Sequence, residues 1–498
     1  MKEYFYAALS DHNENVIVKG DQKVSLGNKA CNAFVEWEWD GKELVLTNDR
    51  YGIYPIYYFH NGSEFAISPS ISKLLEFLPD IEFDYDALAV FLRLHWLIGE
   101  DTIFKAIRAV PPGSRLTWNS SGINVVSTGI IKTQTPISMP REDVIATYAE
   151  LFQKAVEKTM HSSGSSTVML SGGRDSRHIL FALCRAGNRP DRCTTAMYPS
   201  PHSNEDVRIA KLICEELSIS HNVVEQPPEQ LETEISKNHK LGFCSTEHGW
   251  FVAMAECLKR KTVNAYDGIA GDVLSARLLY GHHELDLFRS HKFSDLAETI
   301  LSRHTYSPKI LTSEIVELVA WERAVQHLSK ELSKHADQAD PVTSFEFWNR
   351  TRRTIAPSPF LLLGHSINVI TPYLETRLFD FLSYLPADLR MTGKLHTDTI
   401  RFAFPEYDHI PYESPKALPK YDNHRLNRLS KDILRYCFSK QKRKILRRSP
   451  ILARCIRSIV DGNYKVSDFS DEIIYLLQLE RLKALFIFTF TQPIFFSL

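Results

Sequence analysis

A glycine pair between an apolar run and a helical pattern constrains the fold of this chain more than any other feature of its sequence. Thr167-Val-Met-Leu170 has the short, partly β-branched character of a buried parallel strand, and His178-Ile-Leu-Phe-Ala-Leu-Cys184 continues with apolar residues at helical spacing. Gly172 and Gly173, in the Ser171–Ser176 connection, permit a tight turn, so that amide N–H groups and the positive end of the helix dipole face an anion. The pattern predicts an α/β unit with a pyrophosphate-binding loop.

This loop is not a Walker loop, which has a longer glycine spacing followed by Lys and Ser or Thr. The pattern Ser-Gly-Gly-x-Asp-Ser at 171–176 is that of the ATP pyrophosphatases, and it resembles the nucleotide loop of the asparagine synthetase family. Other segments resemble that family's motifs in the same order: Asp49–Tyr58, Phe65–Ser68, Lys73–Leu75, Thr102–Gly113, Asn204–His221, Asp267–Asp272, Thr371–Glu375, Leu385–Pro386 and Gly393–Lys394. Since these segments cover most of residues 30–420, the chain is identified as a member of the family.

The composition is that of a soluble globular protein of two or three domains. The 498 residues exceed one ordinary domain, and hydrophobic residues make up 44% of them. With 59 basic and 60 acidic residues, the net charge of −1 gives no general electrostatic attraction to nucleic acid, so we expect no nucleic-acid partner. The eight cysteines lack Cys-x-x-Cys spacing, which predicts reduced thiols of a cytoplasmic protein.

The patterning divides the chain into three parts. Residues 1–130 are β-rich, with alternation in Phe34–Trp39 and a hairpin turn at Asn61-Gly62, and the resemblance implies a shortened α+β domain of the N-terminal-nucleophile glutaminase type, degenerate in function. Helical periodicity resumes at Arg141, and residues 141–424 then predict an α/β ATP-pyrophosphatase-type synthetase domain with a parallel sheet, mostly helical after about residue 275. Residues 425–498 predict a basic helical extension.

The predicted C-terminal extension combines basic and apolar segments. Residues 425–448 hold ten Lys or Arg against Asp432 alone, and Leu485–Leu498 is strongly apolar. Those 14 residues include Pro493 and fall short of the roughly 20 apolar residues that a bilayer span needs. A solvated helix face and a docked tail are the simpler interpretations, and contact with a protein partner or a membrane surface stays open.

The N-terminal nucleophile of the family's glutaminases does not stand at the start of this sequence. Glutamine-dependent members begin with Met-Cys, whereas this sequence begins Met1-Lys-Glu-Tyr4, and its first cysteine is Cys31. That nucleophile uses the α-amine of its own residue as the base, so an internal cysteine cannot replace it. We therefore expect no glutaminase activity, with a misassigned start codon as the alternative.

The resemblance implies ATP and Mg²⁺ as cofactors and assigns a role to each matching residue. By that resemblance Lys394 and Lys416 neutralise the departing phosphates, although a surface lysine is the alternative at both positions. Asp175 and Asp272 match the two carboxylates that coordinate Mg²⁺, a hard cation suited to oxygen ligands. The implied nucleotide-binding residues are Met169, Ser171, Gly172, Gly173, Asp175, Ser176, Met197, Asp267 and Gly268, where core packing would equally explain the two methionines.

Two positions depart from the family's pattern. Ile269 stands where asparagine synthetases carry Glu and β-lactam synthetases carry Tyr, and Asn368 stands where the β-lactam enzymes carry the Glu partner of that Tyr. We expect both residues, with Arg353, to form the substrate pocket, because the arginines of Asn349–Arg353 suit a carboxylate or phosphate. A helix surface paired with Glu346 is the alternative for those arginines.

These features favour an ATP-dependent amide-forming ligase that activates a carboxylate as its acyl-adenylate. The missing nucleophile and Ile269 favour a specialised enzyme that joins a small-molecule or peptide carboxylate to an amine, for example a macrocyclase of the lasso-peptide type. Ordinary asparagine synthesis from free ammonia and a catalytically altered nucleotide-binding or scaffold protein are the alternatives. The acyl donor, the amine, the general base and the oligomeric state are left open.

Overall fold

The computed structural model describes residues 3–9, 16–129, 135–161, 163–198, 203–227, 229–276, 279–303, 308–413, 423–438, 445–461 and 467–488. Ten strands and two helices form the N-terminal part: β1 (Phe5–Leu9), β2 (Val16–Gly20), β3 (Lys23–Asn28), β4 (Ala33–Trp39), β5 (Leu44–Asn48), β6 (Tyr57–His60), β7 (Glu64–Ser68), β8 (Ile107–Ala109), β9 (Ser114–Asn119), β10 (Gly122–Ser127), α1 (Ile71–Leu75) and α2 (Tyr85–Leu94). The predicted β-rich start and the hairpin at Asn61-Gly62 are confirmed.

The N-terminal strands form two antiparallel sheets of five strands. Their orders are β2-β1-β7-β6-β8 and β10-β9-β5-β4-β3. Alternate side chains of β4 are buried, as expected of strands with one face against a core. Aromatic rings join the sheets: Phe65 stacks on Trp118 at 5.3 Å between ring centroids, and Phe5 lies 5.5 Å from Trp39. The inner faces of the two sheets thus supply the core of this domain.

A parallel sheet forms the centre of the second domain, as the sequence predicts. Its strands, in spatial order β13-β12-β11-β14-β15, are β11 (Ser166–Met169), β12 (Arg192–Met197), β13 (Ser220–Glu225), β14 (Asn264–Tyr266) and β15 (Asn368–Ile370). β15 lies within the region that the sequence predicts as mostly helical, about a hundred residues after β14. It pairs in parallel with β14, so the segments after both strands reach the same edge of the sheet.

Helices surround this sheet and make up the remainder of the described chain. They are α3 (Arg141–Thr159), α4 (Asp175–Arg185), α5 (Glu205–Glu216), α6 (Gln230–Lys240), α7 (Phe251–Lys259), α8 (Gly271–Ser275), α9 (His282–Arg289), α10 (Phe293–Ser302), α11 (Ser313–Leu318), α12 (Trp321–Ser333), α13 (Pro341–Phe345), the π-helix Glu346–Ile355, α14 (Pro357–Leu363), α15 (Thr376–Ser383), α16 (Ala387–Arg390), α17 (Leu395–Ala403), α18 (Asn423–Phe438), α19 (Arg448–Val460) and α20 (Ser467–Phe488). The helix predicted to begin at Arg141 is confirmed as α3.

The C-terminal helices pack on the two domains through α20. Tyr475 stacks on Phe91 of α2 at 4.6 Å between ring centroids, and its hydroxyl donates a hydrogen bond to the Phe243 carbonyl. Gln478 accepts a hydrogen bond from Asn238 of α6. Across the described ranges, no helix combines the length and the apolarity that a membrane span requires. The tail residues 489–498 lie outside the described residues.

Candidate functional site

The glycine loop leaves the carboxyl end of β11 and leads into α4, as the sequence predicts. Its amides are largely paired within the chain: the Ser171 amide donates to the Ser176 hydroxyl at 3.0 Å, and the Gly173 amide donates to the Ser171 hydroxyl at 3.2 Å. The Gly172 amide donates to Asp206 Oδ1 at 2.6 Å. A side chain of α5 therefore lies directly against the loop.

A second acid lies beside that contact. The Glu413 amide donates to the Gly172 carbonyl at 3.2 Å, so the segment before residue 414 runs along the loop. Burial raises the pKa of the Glu413 carboxyl, and its hydrogen bond with Asp206 raises that pKa further. Two acidic side chains, Asp206 and Glu413, thus lie beside the loop that is predicted to bind the anionic pyrophosphate. Neither residue is marked by a motif of its own, although Asp206 lies within the Asn204–His221 segment.

Asp175 and Asp272 come together as the predicted metal pair requires. Asp175 begins α4, Asp272 lies in the first turn of α8, and the Asp272 amide donates to Asp175 Oδ2 at 3.0 Å. Gly268 and Gly271 allow this approach, because a Cβ on either would lie 2.6 Å from Asp175 side-chain carbon. Neither glycine has room for a side chain. The spacing of glycines in Asp267–Asp272 is thus explained by packing against Asp175.

Three carboxylates crowd this corner of the sheet. Burial, followed by the nearby charge of Asp272, raises the pKa of Asp175 well above its usual value, and burial raises that of Asp272. Burial also raises the pKa of Asp267 to about 6, although its carboxylate accepts a hydrogen bond from the Ile269 amide. Carboxylates with raised pKa values at such an edge are typical of functional sites.

The carboxylate pair fits a magnesium ion. Asp175 Oδ1 is buried and has no hydrogen-bond donor among the residues that the structure describes. A cation at this oxygen would satisfy it and offset the repulsion between Asp175 and Asp272. In the described ranges, no group of three or more Asp, Glu, His or Cys side chains gathers as a metal site. Two carboxylates suffice for Mg²⁺ because it takes its other ligands from waters and substrate phosphates.

The remaining predicted nucleotide residues lie at or next to the same edge. Met169 and Met197 are the last residues of β11 and β12, both partly exposed, and Gly268 follows β14 by two residues. Lys394 is exposed directly before α17, whereas Lys416 lies outside the described residues. The roles of these residues stay predictions.

Asn368 does not lie at this edge, contrary to expectation. It begins β15 opposite Asn264, the first residue of β14, and therefore stands at the amino edge of the sheet. Its amide contacts His161 Nε2 at 2.8 Å and Asn264 Oδ1 at 3.1 Å, and it accepts from Asn28 at 2.9 Å. Three residues of strand, about 10 Å, separate it from the carboxyl edge. The role of Asn368 in the substrate pocket therefore stays a prediction.

The arginines of the Asn349–Arg353 segment point in different directions. The Arg353 guanidinium donates to the Gly99 and Asp101 carbonyls of the N-terminal domain, and Arg352 donates to the Val110 carbonyl and to Glu100. Arg353 therefore joins the two domains, and its role in the substrate pocket stays a prediction. Arg350 alone of the three lowers the pKa of Asp272, and its side chain is 22% exposed.

Ile269 lies beside the carboxylates but is 3% exposed and belongs to the hydrophobic core. It offers little surface to a substrate, so its role in the pocket stays a prediction. His396 is a further residue of the site that was not predicted, and its Nδ1 lies 3.3 Å from Asp175 Oδ1. Its position two residues after Lys394, in a block already matched to the family, was the available signal.

Family comparisons agree with this geometry. The asparagine synthase family model matches residues 147–413, and a glutamine amidotransferase domain model matches residues 19–128. Asparagine synthetase [glutamine-hydrolyzing] 3 of Bacillus subtilis (strain 168) is 30% identical over 150 residues, which cover 30% of this chain and 24% of that protein. Asparagine synthetase [glutamine-hydrolyzing] 1 of the same organism is 24% identical over 148 residues, 30% of this chain and 23% of that protein. Each match thus spans about a quarter of its relative's length.

Among solved structures, an NMN synthetase from Francisella tularensis is similar at 12% identity and a TM-score of 0.21, covering 44% of this chain and 97% of that one. An NH3-dependent NAD synthetase from Campylobacter jejuni gives 13% identity and a TM-score of 0.19, covering 39% of this chain and 96% of that one. Scores this low carry no inference about the present chain. The family model, by contrast, spans more than half of the 498 residues. The chain belongs to the asparagine synthase family.

Proposed function

We propose that this chain is an ATP-dependent ligase that activates a substrate carboxylate as its acyl-adenylate, releases pyrophosphate and then forms an amide. The observation that carries the proposal is the Asp175–Asp272 pair beside the glycine loop, with one buried carboxylate oxygen that lacks a donor in the described part of the chain. Membership of the asparagine synthase family supports the same chemistry.

The first half-reaction requires groups that bind and orient phosphates. A substrate carboxylate oxygen attacks the α-phosphorus of ATP, the bond from that phosphorus to the bridging β-oxygen breaks, and pyrophosphate leaves. Ser171, Gly172, Gly173 and Ser176 hold the departing pyrophosphate, while Asp175 and Asp272 hold Mg²⁺. When bound, the ion neutralises phosphate charge. Catalysis of such a step comes mainly from positioning and electrostatics.

The second half-reaction forms the amide. An amine nitrogen attacks the acyl carbon, the bond from that carbon to the phosphate oxygen breaks, AMP leaves with its electron pair, and the nitrogen loses a proton. Ile269 can neither bind a substrate charge nor accept that proton. Arg350 and Arg174, whose charges both lower the pKa of Asp272, suit a carboxylate or phosphate on the acyl donor. We therefore propose a peptide, sugar-acid or secondary-metabolite substrate instead of free aspartate, with lasso-type macrocyclisation as one form of the reaction.

The N-terminal domain takes no chemical part in this proposal. Cys31 is fully buried, and burial raises the pKa of its thiol to about 12, so it does not supply a thiolate at neutral pH. Wild-type protein is expected to release no glutamate from glutamine above the rate in buffer. Glutamate release that survives Cys31→Ala would mean that a different nucleophile acts.

Exchange of radiolabelled pyrophosphate into ATP, with candidate carboxylates supplied in turn, tests the first half-reaction. Asp175→Ala should abolish exchange without unfolding the protein. Asp191→Ala is the matched control. Asp191 accepts a hydrogen bond from the Ser166 amide at the amino end of β11, whereas the glycine loop follows the carboxyl end of that strand. Exchange that persists in the Asp175 variant, or is lost equally in the Asp191 variant, contradicts the assignment.

A nucleotide-binding protein without ligase activity is the second candidate. The contact from Asp206 to the Gly172 amide favours it, because this carboxylate occupies a donor that pyrophosphate would use. ATP binding without exchange for any carboxylate would favour this candidate. Asparagine formation from aspartate, ATP and ammonia would instead return the chain to ordinary asparagine synthesis.

A further inference from the structure

A buried polar cluster contacts Asp175 on the side of the core. The cluster consists of His396 of α17, His178 of α4 and Tyr373, which follows β15, and all three side chains are fully buried. His396 Nε2 lies 3.1 Å from the Tyr373 hydroxyl and 3.3 Å from His178 Nδ1. Its other nitrogen, Nδ1, lies 3.3 Å from Asp175 Oδ1. A chain of polar contacts thus runs from the core to the carboxylate that the proposed function assigns to the metal.

The contacts of His396 place one ring nitrogen on the cluster and the other on Asp175. The Tyr373 hydroxyl lies 3.1 Å from His396 Nε2 and 3.4 Å from the Asp175 main-chain carbonyl. An imidazole that accepts a hydrogen bond at Nε2, from this hydroxyl or from His178, carries a proton on Nδ1. Nδ1 is the nitrogen that faces Asp175 Oδ1.

The Asp175 carboxyl is held from its other sides as well. Gly268 and Gly271 pack against its side-chain carbons, and the Asp272 amide donates to Oδ2. The second oxygen, Oδ1, receives no donor from these groups. In the described structure the contact with His396 is close enough to guide this oxygen but lacks full hydrogen-bond geometry. Such contacts at active sites commonly tighten when the ligand binds.

We infer that His396 is a positioning residue that orients Asp175 for its metal, and that Tyr373 and His178 hold the imidazole in place. This inference rests on the proposed function. Mg²⁺ requires near-octahedral geometry, so a carboxylate that is already oriented binds it with less rearrangement. A purely structural role is disfavoured because an apolar side chain would fill the same space without burying a polar nitrogen beside an aspartate.

Binding of Mn²⁺ together with α,β-methylene-ATP tests the inference without turnover. The electron paramagnetic resonance signal of free Mn²⁺ reports the dissociation constant for the full-length protein. His396→Leu fills the space without a donor and should weaken Mn²⁺ binding at least about tenfold. His396→Asn keeps an N–H donor near the Nδ1 position and should stay within about threefold of wild type. His335→Leu is the matched control, because His335 is equally buried but hydrogen-bonds Ser344 and Asn349.

The outcomes separate a positioning role from a structural one. Unchanged Mn²⁺ binding in a folded His396→Leu protein overturns the inference, and so does equal weakening in the Asn variant or in the His335 control. If His396→Leu does not fold, Tyr373→Phe removes only the hydroxyl: weakening of more than about threefold supports the inference, and an affinity within about threefold of wild type overturns it. Wild-type protein that binds the nucleotide without Mn²⁺ would contradict the metal assignment of the proposed function, a result distinct from any difference among these variants.

Discussion

The two edges of the central parallel sheet use their polar residues in opposite ways. At the amino edge, Asn28, His161, Asn264 and Asn368 hydrogen-bond to one another, and none of these four side chains is a carboxylate. At the carboxyl edge of the same strands, three carboxylates crowd together with raised pKa values, and one buried oxygen lacks a donor among the described residues.

The polar residues of the two edges differ in their effect on stability. The amino edge satisfies its polar groups and joins β15 to the N-terminal domain through Asn28, so it contributes stability. The carboxyl edge keeps like charges in contact, which costs stability unless a ligand compensates for it. Substitutions at the two edges should therefore act on different measurable properties.

The largest expected effect is that of Asp272→Asn. The substitution removes one of the two predicted metal ligands, so pyrophosphate exchange should fall by about a thousandfold. It also removes the repulsion between the Asp175 and Asp272 carboxylates, so the melting temperature should stay level or rise. Exchange assays and thermal melts without nucleotide measure the two effects. If the variant loses exchange only because its melting temperature is lower, Asp272 contributes to stability and not to the reaction.

Asn368→Ala should show the reverse behaviour. It leaves the half-buried Asn28 and His161 and the buried Asn264 short of a hydrogen bond, which should lower the free energy of unfolding by about 1–3 kcal/mol. Exchange per folded molecule should match wild type, because the residue lies a strand's length from the glycine loop. Chemical denaturation and exchange assays on one preparation provide the comparison. Loss of exchange at wild-type stability would return Asn368 to the substrate pocket.

The sequence predicts the order of domains and the carboxylate pair because short local patterns carry that information. The glycine loop and the strand that precedes it fix where Asp175 stands, and Asp267–Asp272 follows the neighbouring strand. The position of Asn368 depends on the register of β15 against β14, which no local pattern specifies. The contacts of Asp206 and His396 join segments 34 and 221 residues from their partners, Gly172 and Asp175. Such contacts appear only when the fold is known.

The pH dependence of stability offers a finer test of the carboxyl edge. Burial raises the pKa of Asp267 from 3.8 to about 6, so its favourable contribution is complete below pH 3.8 and is lost as pH rises through 6. The difference corresponds to about 3 kcal/mol. Asp267→Asn should remove this part of the decline, which denaturation at pH 4 and pH 7 would measure. Asp191→Asn changes a carboxylate that directly precedes β12 and accepts from the Ser166 amide, and it should leave the decline intact. Identical pH profiles for wild type and Asp267→Asn would contradict a buried, strained carboxylate at this position.

The smallest expected effect concerns the acid that lies against the loop. Asp206→Ser frees the Gly172 amide and removes a negative charge from the path of the phosphates, so α,β-methylene-ATP with Mg²⁺ should bind about three- to tenfold more tightly. Glu205→Ser is the matched control, because it removes the same charge from the adjacent residue, which pairs with Arg208 instead of the loop. Calorimetric titration measures both variants. Equal tightening in the two would assign the effect to net charge, and weaker binding in Asp206→Ser alone would make this carboxylate part of the nucleotide site.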